Sequence, residues 1–228
     1  MLLNAQNISK SYYSDKGVLI CRALENVSLI INENSSLTIT GPSGSGKSTF
    51  LNILGCIDYP DSGYVYYNDK MLSKMSEKKQ AEFRNTHAGF IFQDHHLVRH
   101  CSVIENILLP CLANKRKTGI EEKERAEHIL EKLGIIDKKD YLPAMLSGGE
   151  RQRTAFARSL INSPRFILAD EPTGNLDRKN SEQAMKMLLD IAETEKISLI
   201  IVTHSSLVAS MFKTEYALAN GRLKRSRG

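Results

Sequence analysis

The stretch GPSGSGKST at residues 41–49 limits the possible fold more than any other part of the chain. It follows the short β-rich run SLTIT, and it precedes apolar residues at i, i+3, i+4 and i+7, which is the spacing of one helix face. The pattern therefore predicts a strand, a glycine loop and a helix in immediate succession. A glycine loop of this spacing, in this context, is a P-loop that wraps around phosphate groups.

The residue types in this loop each have a chemical reason. Gly41, Gly44 and Gly46 remove side chains from the path of a phosphate and permit positive φ angles. The N–H groups that follow point at the phosphates, while Lys47 reaches the β- and γ-phosphates and Ser48 ligates Mg²⁺. The alternative is a glycine-rich turn with a lysine by chance, which the flanking strand and helix disfavour. The predicted nucleotide-binding residues of the loop are Gly41, Ser43, Gly44, Ser45, Gly46, Lys47, Ser48 and Thr49.

A carboxylate at the end of an apolar strand is expected to accompany a P-loop. The run FILAD supplies Asp170, which we predict to hold the hydration shell of the Mg²⁺ ion. Glu171 follows directly, and a carboxylate beside the metal can take a proton from an attacking water, so Glu171 is the predicted general base. The alternative for this pair is a solvated loop after a strand.

Two further polar residues each end a predicted strand. His204 follows the run ISLIIVT, and α/β sheets bind their ligands beyond the carboxyl ends of strands. We predict a contact from His204 to the γ-phosphate, although a lone histidine is more often structural. Gln93 ends the run GFIFQ and is predicted to orient the water or the Mg²⁺.

A second candidate anion site lies at LSGGERQR, residues 146–153. Ser147 with Glu150 matches a capping box, which would explain both residues by helix formation alone. A cap does not require two glycines, however, and Gly148 with Gly149 clears the backbone for a close approach by an anion. Because the P-loop already holds the chain's own nucleotide, the simplest anion is the nucleotide of a second copy. Two copies would then pack head to tail with twofold symmetry.

Strand and helix patterns alternate at both ends of the chain, which predicts the α/β class with a largely parallel sheet. The middle part, about 94–162, is helical in pattern, with capping boxes at Ser102 and Thr118, and it is predicted to be an insertion. The core would comprise about 1–93 and 163–228, all within a single domain of residues 1–228. A hairpin is predicted on the Asn220–Gly221 turn.

Composition excludes several other classes of protein. No run approaches the 18 apolar residues of a membrane span, and the N-terminus lacks the pattern of a secretion signal. The 4 cysteines form no C-x-x-C pair and are expected to be reduced thiols. No basic stripe with interleaved aromatic residues suggests nucleic-acid binding. The basic end GRLKRSRG is expected to be a solvated tail, with contact to anionic lipid or a partner as the alternative.

With these motifs in order, the sequence resembles an ATP-binding cassette (ABC) transporter ATPase over essentially its whole length. GPSGSGKST is similar to the Walker A motif, FILADE to the Walker B motif with its catalytic glutamate, and LSGGE to the signature motif. Gln93 is similar to the Q-loop glutamine, Asp177 to the D-loop aspartate and His204 to the switch histidine. Tyr12 lies where the family stacks an aromatic ring on adenine, with Tyr13 as the alternative.

The resemblance implies a RecA-like P-loop NTPase core, an antiparallel β subdomain and an inserted α-helical subdomain that holds the signature. It implies ATP and Mg²⁺ as cofactors and a second copy of the chain as a partner. Ser205 follows the histidine where many family members have aspartate, so the resemblance does not fix the turnover rate. The implied catalytic residues are Lys47, Gln93, Glu171 and His204; the implied metal-binding residues are Ser48, Gln93 and Asp170; Ser147, Gly148, Gly149 and Asp177 join the nucleotide-binding set.

The segments LNILGCIDYPDSG and ILADEPTGNLD carry a finer resemblance, to the lipoprotein-release (LolD-like) and macrolide-export (MacB-like) ATPases, with the cell-division FtsE group similar. This implies a LolCE-, MacB- or FtsX-like membrane permease with a large extracytoplasmic domain, and a cytoplasmic position on the inner face of a bacterial membrane. A regulatory ATPase of an FtsEX-like or peptide-sensing complex is the alternative. A soluble factor of translation or DNA repair fits less well, since this chain has one cassette only. The cargo stays open.

Overall fold

The computed structural model of the protein describes residues 1–113 and 119–228. The strands are β1 (Leu3–Tyr13), β2 (Leu19–Ile31), β3 (Ser36–Thr40), β4 (Ser62–Tyr67), β5 (Lys70–Met71), β6 (Ala88–Ile91), β7 (Phe166–Asp170), β8 (Ser198–Thr203), β9 (Thr214–Ala219) and β10 (Arg222–Arg227). The α-helices are α1 (Lys47–Leu54), α2 (Glu77–His87), α3 (Val103–Leu112), α4 (Ile120–Lys132), α5 (Gly148–Leu160), α6 (Arg178–Thr194) and α7 (Ser206–Ser210). The chain divides into a first unit, Met1–Ala81 with Ser198–Gly228, and a second unit, Glu82–Ile197.

The first unit contains an antiparallel sheet in the order β2–β1–β4–β5. Leu3, Ala5 and Ile8 of β1 are fully buried, so the buried face changes phase between Ala5 and Ile8. Asn7, between them, has a φ of 52°, and the register with β2 shifts at the same place. Such a bulge interrupts the two-residue period by which a strand is recognised. The sequence pattern for this reason does not predict β1 or β2.

The first unit also contains four neighbouring strands in the order β10–β9–β3–β8. β3 is parallel to both β8 and β9, and every residue of β8 is buried. A strand covered on both faces reads as a continuous apolar run, which explains why its sequence was easy to recognise. The predicted strand at 36–40 is confirmed, and the one at 197–203 is confirmed from Ser198 onward.

The predicted hairpin at the C-terminal end is confirmed. Asn220 and Gly221 have φ angles of 50° and 71°, as a type I′ turn requires, and β9 pairs with β10 in antiparallel register. The basic end is therefore a strand rather than a tail. The residues of this strand are mostly exposed, as expected for a solvated segment, and Arg227 also donates hydrogen bonds to Ala209 O at 2.7 Å and to another main-chain carbonyl.

The second unit pairs β6 with β7 in parallel and adds the helices that follow them. The capping box at Ser102 is confirmed, because Glu105 N donates to Ser102 Oγ at 3.3 Å and Ser102 N donates to Glu105 Oε2 at 2.7 Å. The box predicted at Thr118 lies outside the described residues. The apolar stripe of α4 is buried, and Gly134 ends this helix with a φ of 64°.

Helices α3, α4 and α5 fall within the range 94–162 that was expected to form an inserted subdomain. The second unit is wider than this range, since it also holds β6, β7 and α6. The subdomain boundary thus stays a prediction, whereas the α/β class is confirmed. In the described ranges, no helix combines the length and the apolar character that crossing a membrane requires.

Candidate active site

The P-loop joins the end of β3 to the start of α1, and the surrounding backbone requires glycine at two of its positions. Gly46 is the N-cap of α1 with a φ of 97°. A Cβ atom there would lie 2.2 Å from Ala23 O, and one at Gly41 would lie 2.1 Å from Leu218 O. Gly44 has a φ of 74° in open space. Backbone oxygens cannot move aside, so no side chain fits at Gly41 or Gly46.

Lys47 lies over this loop. Its side chain is buried, and Nζ donates to Gly41 O at 2.9 Å and to Pro42 O at 3.0 Å. No side chain caps the start of α1, so the first N–H groups of the helix are left for another acceptor. A narrow glycine cradle, free helical N–H groups and an ammonium group together fit a phosphate chain.

Tyr12 and the P-loop are in contact within the first unit. Tyr12 lies near the end of β1, and its hydroxyl oxygen is 3.3 Å from Thr49 Oγ1, at the end of the loop. Tyr13, the alternative, is 60% exposed, whereas Tyr12 is 37% exposed. The contact favours Tyr12 as the residue that meets a base bound beside the P-loop.

His204 lies at the same sheet edge as the P-loop. Thr203 at the end of β8 is the register partner of Thr40 at the end of β3, so the residues that follow each strand emerge side by side. Ser205, the departure from the family pattern, caps the short helix α7 by accepting a hydrogen bond from Val208 N at 3.3 Å. Serine and aspartate are both good N-caps, which gives the departure a structural reason.

The second unit brings together Asp170, Glu171 and Gln93. Asp170 ends β7 and Gln93 comes shortly after β6, and these two parallel strands pair up to Ile91 with Ala169. Glu171 is 9% exposed and has a φ of 45°, a conformation that non-glycine residues seldom adopt. Strained backbone of this kind is typical of functional turns.

The turn after Glu171 is tied to Gln93. Gly174 N donates to Glu171 O at 3.0 Å, and Asn175 Nδ2 donates to Gln93 O at 2.8 Å. A Cβ atom at Gly174 would lie 3.5 Å from Gln93 Nε2, so the amide side chain of Gln93 lies close to this turn. The two carboxylates and the amide predicted from the sequence therefore share one edge of the β6–β7 pair.

The segment Ser147–Glu150, here called the signature corner, starts helix α5. Its capping box is present, since Glu150 N donates to Ser147 Oγ at 3.3 Å and Ser147 N donates to Glu150 Oε2 at 2.7 Å. These hydrogen bonds to Ser147 lower the pKa of Glu150. A Cβ atom at Gly148 would find Leu176 Cδ2 at 3.5 Å, and one at Gly149 would find only Arg153 Nη1 at 4.0 Å. Nothing within the described chain requires glycine at either position.

Asp177 has a structural role that the sequence analysis missed. It is the N-cap of α6, and its Oδ1 accepts a hydrogen bond from Asn180 N at 3.0 Å. This hydrogen bond is the main reason why the pKa of Asp177 is lowered. The signal was available, because aspartate directly before a helical pattern is a common N-cap.

Arg158 of α5 is a second residue that the sequence analysis missed. His95 and His96 have φ angles of 60° and 47°, which is costly for two consecutive non-glycine residues. Arg158 Nη1 donates to His96 O at 2.6 Å and its Nη2 donates to His95 O, which holds the segment after Gln93 in this conformation. No sequence signal marks such a contact, because both acceptors are main-chain carbonyls in a distant part of the chain.

A groove of about 580 Å³ lies between this segment and the start of α5, within the second unit. Its lining mixes charged and apolar groups, and burial is the main reason why the pKa of His95 is lowered. The residues that line it include Asp94, Leu97, Arg99, Pro143, Ala144 and Arg151.

Comparisons with known proteins agree with this geometry. The sequence model of the family described as "ABC transporter" matches residues 24–174. Two curated relatives are lipoprotein-releasing system ATP-binding proteins LolD. The one from Saccharophagus degradans is 39% identical and the one from Francisella tularensis subsp. holarctica is 41% identical, and both alignments cover 98% of this chain and at least 96% of the relative.

Solved structures of the ABC transporter cassette MJ0796 are also similar to this chain. Its dimeric structure has 35% sequence identity and a TM-score of 0.90, with 100% of both chains covered. The dimeric structure of its post-hydrolysis state, bound to ADP and Pi, has 34% identity and a TM-score of 0.89 over the same coverage.

Proposed function

The chain belongs to the ABC transporter family, and from that premise we propose that it is the ATP-hydrolysing subunit of a bacterial lipoprotein-releasing complex. The main support for ATPase activity is the P-loop. Nearby backbone oxygens leave room only for glycine at two of its positions, and a buried lysine lies over the loop. The observation that carries the finer assignment is the near full-length similarity to LolD proteins.

We assign the phosphates of ATP to Lys47 and to the N–H groups at the start of α1, and the adenine to Tyr12. Ser48, Gln93 and Asp170 offer hydroxyl, amide and carboxylate oxygens, which are the hard ligands that Mg²⁺ prefers. A bound Mg²⁺ would neutralise the charge that builds up on the transferring phosphoryl group.

We propose that Glu171 is the general base that accepts the proton of the attacking water. A carboxylate that is mostly buried and held by a constrained turn keeps one orientation, as a general base must. His204, at the strand end beside the P-loop, is assigned the contact to the γ-phosphate. We propose that Gln93 orients the attacking water. The hydrogen bond from Asn175 to its backbone carbonyl supports this role, because it holds the residue in place.

The signature corner is assigned to the nucleotide of a second copy. No contact within the chain requires glycine at these two positions, so we attribute the absence of side chains to a partner molecule that approaches closely. The similarity to a cassette solved as a dimer supports a second copy as that partner. ATP would then close two head-to-tail copies, with Ser147, Gly148 and Gly149 of each copy on the ATP of the other. Closure follows because ATP binds the closed state more tightly than the open one.

The groove of the second unit is assigned to the membrane permease. It adjoins Gln93 on one side and the signature corner on the other, so a partner seated there would sense changes at both. The charges of Asp94, Arg99 and Arg151 would select the partner, since complementary charge sets specificity more than affinity. We propose that this permease carries a large extracytoplasmic domain, and that the chain lies on the cytoplasmic face of the membrane.

Two measurements test this function. Affinity purification of the tagged chain from detergent-solubilised membranes is expected to recover an integral membrane protein with few spans and a large outer domain. Depletion of the chain in its source organism is expected to leave mature lipoproteins in the inner membrane. An unchanged lipoprotein distribution, together with altered drug sensitivity or cell division, would contradict lipoprotein release and would favour an exporter or a regulatory complex.

A further inference from the structure

The hydroxyl group of Tyr12 contacts one residue in the first turn of helix α1 and one residue in the loop that follows this helix. It donates to Asp58 Oδ2 at 3.1 Å and lies 3.3 Å from Thr49 Oγ1. A tyrosine hydroxyl has one proton, so with that proton directed at Asp58 the hydroxyl of Thr49 is the donor in the second contact. Two hydrogen bonds thus hold the outer end of the Tyr12 side chain.

Asp58 is itself held firmly. Its Oδ1 accepts hydrogen bonds from Lys10 Nζ at 2.9 Å and from Tyr59 N at 2.7 Å. Burial raises the pKa of Asp58, but the hydrogen bonds from Lys10, Tyr59 and Tyr12 outweigh burial, and the pKa is lowered. The carboxylate therefore stays charged and accepts hydrogen bonds at physiological pH.

The loop that carries Asp58 is anchored to the rest of the first unit. Lys10 Nζ also donates to Tyr59 O at 2.7 Å, and the Tyr59 hydroxyl donates to Gln80 Oε1 at 2.9 Å. Gln80 is 1% exposed and donates from Nε2 to Leu72 O at 3.0 Å. The partner of the Tyr12 hydroxyl is thus part of a continuous hydrogen-bonded network rather than a mobile surface residue.

We propose that Asp58 is a positioning residue for the nucleotide base, and that it acts by holding the side chain of Tyr12 in place through the Tyr12 hydroxyl group. The inference rests on the proposed function, which assigns the base to Tyr12. A ring that is free to rotate loses conformational entropy when a base stacks on it, whereas a ring already held in place does not. Asp58 therefore raises the affinity for the base and leaves the affinity for the phosphates unchanged.

Isothermal titration of the full chain with ADP and with inorganic pyrophosphate separates these two contributions. Asp58→Ala is expected to raise the Kd for ADP about fivefold, the effect of one hydrogen bond, with the Kd for pyrophosphate unchanged. Tyr12→Phe is expected to give a similar rise, since it removes the hydroxyl and keeps the ring. In the Tyr12→Phe background, Asp58→Ala is expected to have no further effect on ADP, because the two residues act as one unit.

Asp61→Ala is the matched control. Asp61 lies in the same loop and accepts a hydrogen bond from Ser11 N at 2.7 Å, next to Tyr12 in β1, but its carboxylate has no contact with the Tyr12 hydroxyl among those the structure describes. This variant is expected to bind ADP as the unaltered chain does. A rise equal to that of Asp58→Ala would show that loop stability, and not the ring, controls the affinity, and would overturn the proposal.

Other outcomes also decide the matter. An equal loss of ADP and pyrophosphate binding, or an Asp58 effect that persists in the Tyr12→Phe background, would overturn the inference. If Asp58→Ala does not fold, Tyr12→Phe alone decides, because full ADP affinity in this variant contradicts the role of the hydroxyl. A chain that binds neither ADP nor pyrophosphate would contradict the proposed function itself, and with it the inference.

Discussion

The P-loop and the signature corner are both glycine-containing helix starts, but glycine is present for different reasons. At Gly41 and Gly46 an added Cβ atom would lie 2.1 Å and 2.2 Å from backbone oxygens of the same chain. At Gly148 and Gly149 the nearest atoms would be 3.5 Å and 4.0 Å away. The first pair is required by the fold of one molecule, and the second pair is not.

The difference separates folding from assembly. A residue that the fold itself requires cannot be changed without loss of stability, whatever the function. A glycine in a helix that nothing inside the chain requires costs stability relative to alanine, by about 0.5–1 kcal/mol. Two such glycines in succession at one helix start support the proposal that the nucleotide of a second copy approaches closely there.

The largest expected effect links the two sites through a trapped dimer. Glu171→Gln removes the proposed general base, so ATP hydrolysis is expected to fall at least about a hundredfold. Binding of ATP does not depend on this proton transfer, and the variant is expected to elute as a dimer from gel filtration with ATP. Lys47→Ala is the control, since it removes a phosphate contact and should neither bind ATP tightly nor dimerise. A Glu171→Gln variant that binds ATP and remains monomeric would contradict the two-copy site.

The next effect concerns the P-loop alone. Gly46→Ala is expected to lower the free energy of unfolding by about 3 kcal/mol, because a strained φ and a clash with Ala23 O act together. Gly44→Ala is the matched variant, since Gly44 has a φ of 74° but no atom within 4 Å. It should cost about 1 kcal/mol from φ strain alone. Urea denaturation of both variants checks this, and equal losses would show that the clash is not decisive.

The reverse behaviour is expected at the signature corner. Gly149→Ala should leave the free energy of unfolding unchanged or raise it by up to about 1 kcal/mol, because alanine favours a helix more than glycine does. ATP hydrolysis and ATP-dependent dimerisation are expected to fall at least about tenfold, since the added methyl group would obstruct the proposed contact with the partner's nucleotide. Thermal unfolding and gel filtration of one preparation measure both quantities. A stable Gly149→Ala variant with full activity would remove the main support for a contact between the signature corner and the nucleotide of a second copy.

The sequence predicted best what depends on local pattern. The strand before the P-loop, the strand before Glu171 and the Asn220–Gly221 hairpin have signals within a few residues, and all are confirmed. The strands β1 and β2 were missed because bulges interrupt their alternation. Arg158 was missed because its partners are backbone carbonyls that only the fold brings near. The glycines of both helix starts looked alike in the sequence, since steric surroundings are a property of the folded chain.

The smallest expected effect uses two capping boxes of the same geometry. In both boxes the serine hydroxyl accepts at 3.3 Å and the glutamate accepts at 2.7 Å, at Ser102 with Glu105 and at Ser147 with Glu150. Ser102→Ala and Ser147→Ala are each expected to lower the free energy of unfolding by about 1 kcal/mol, as measured by urea denaturation. Only Ser147→Ala should also lower ATP hydrolysis, because only that serine is proposed to contact a partner's nucleotide.

The pH dependence of the same two boxes gives a further check on this pair. Hydrogen bonds to the serines lower the pKa of both glutamates from the ordinary value of 4.5. A carboxylate with a lowered pKa in the folded state contributes its full stability above pH 4.5, and this contribution is lost as the pH falls through the folded pKa. Glu105→Gln and Glu150→Gln should therefore be less stable than the unaltered chain at pH 7 and should approach it in acid. If Glu150→Gln and Glu105→Gln lose different amounts of stability but have the same activity, contacts within the chain, and not a partner molecule, constrain the signature corner.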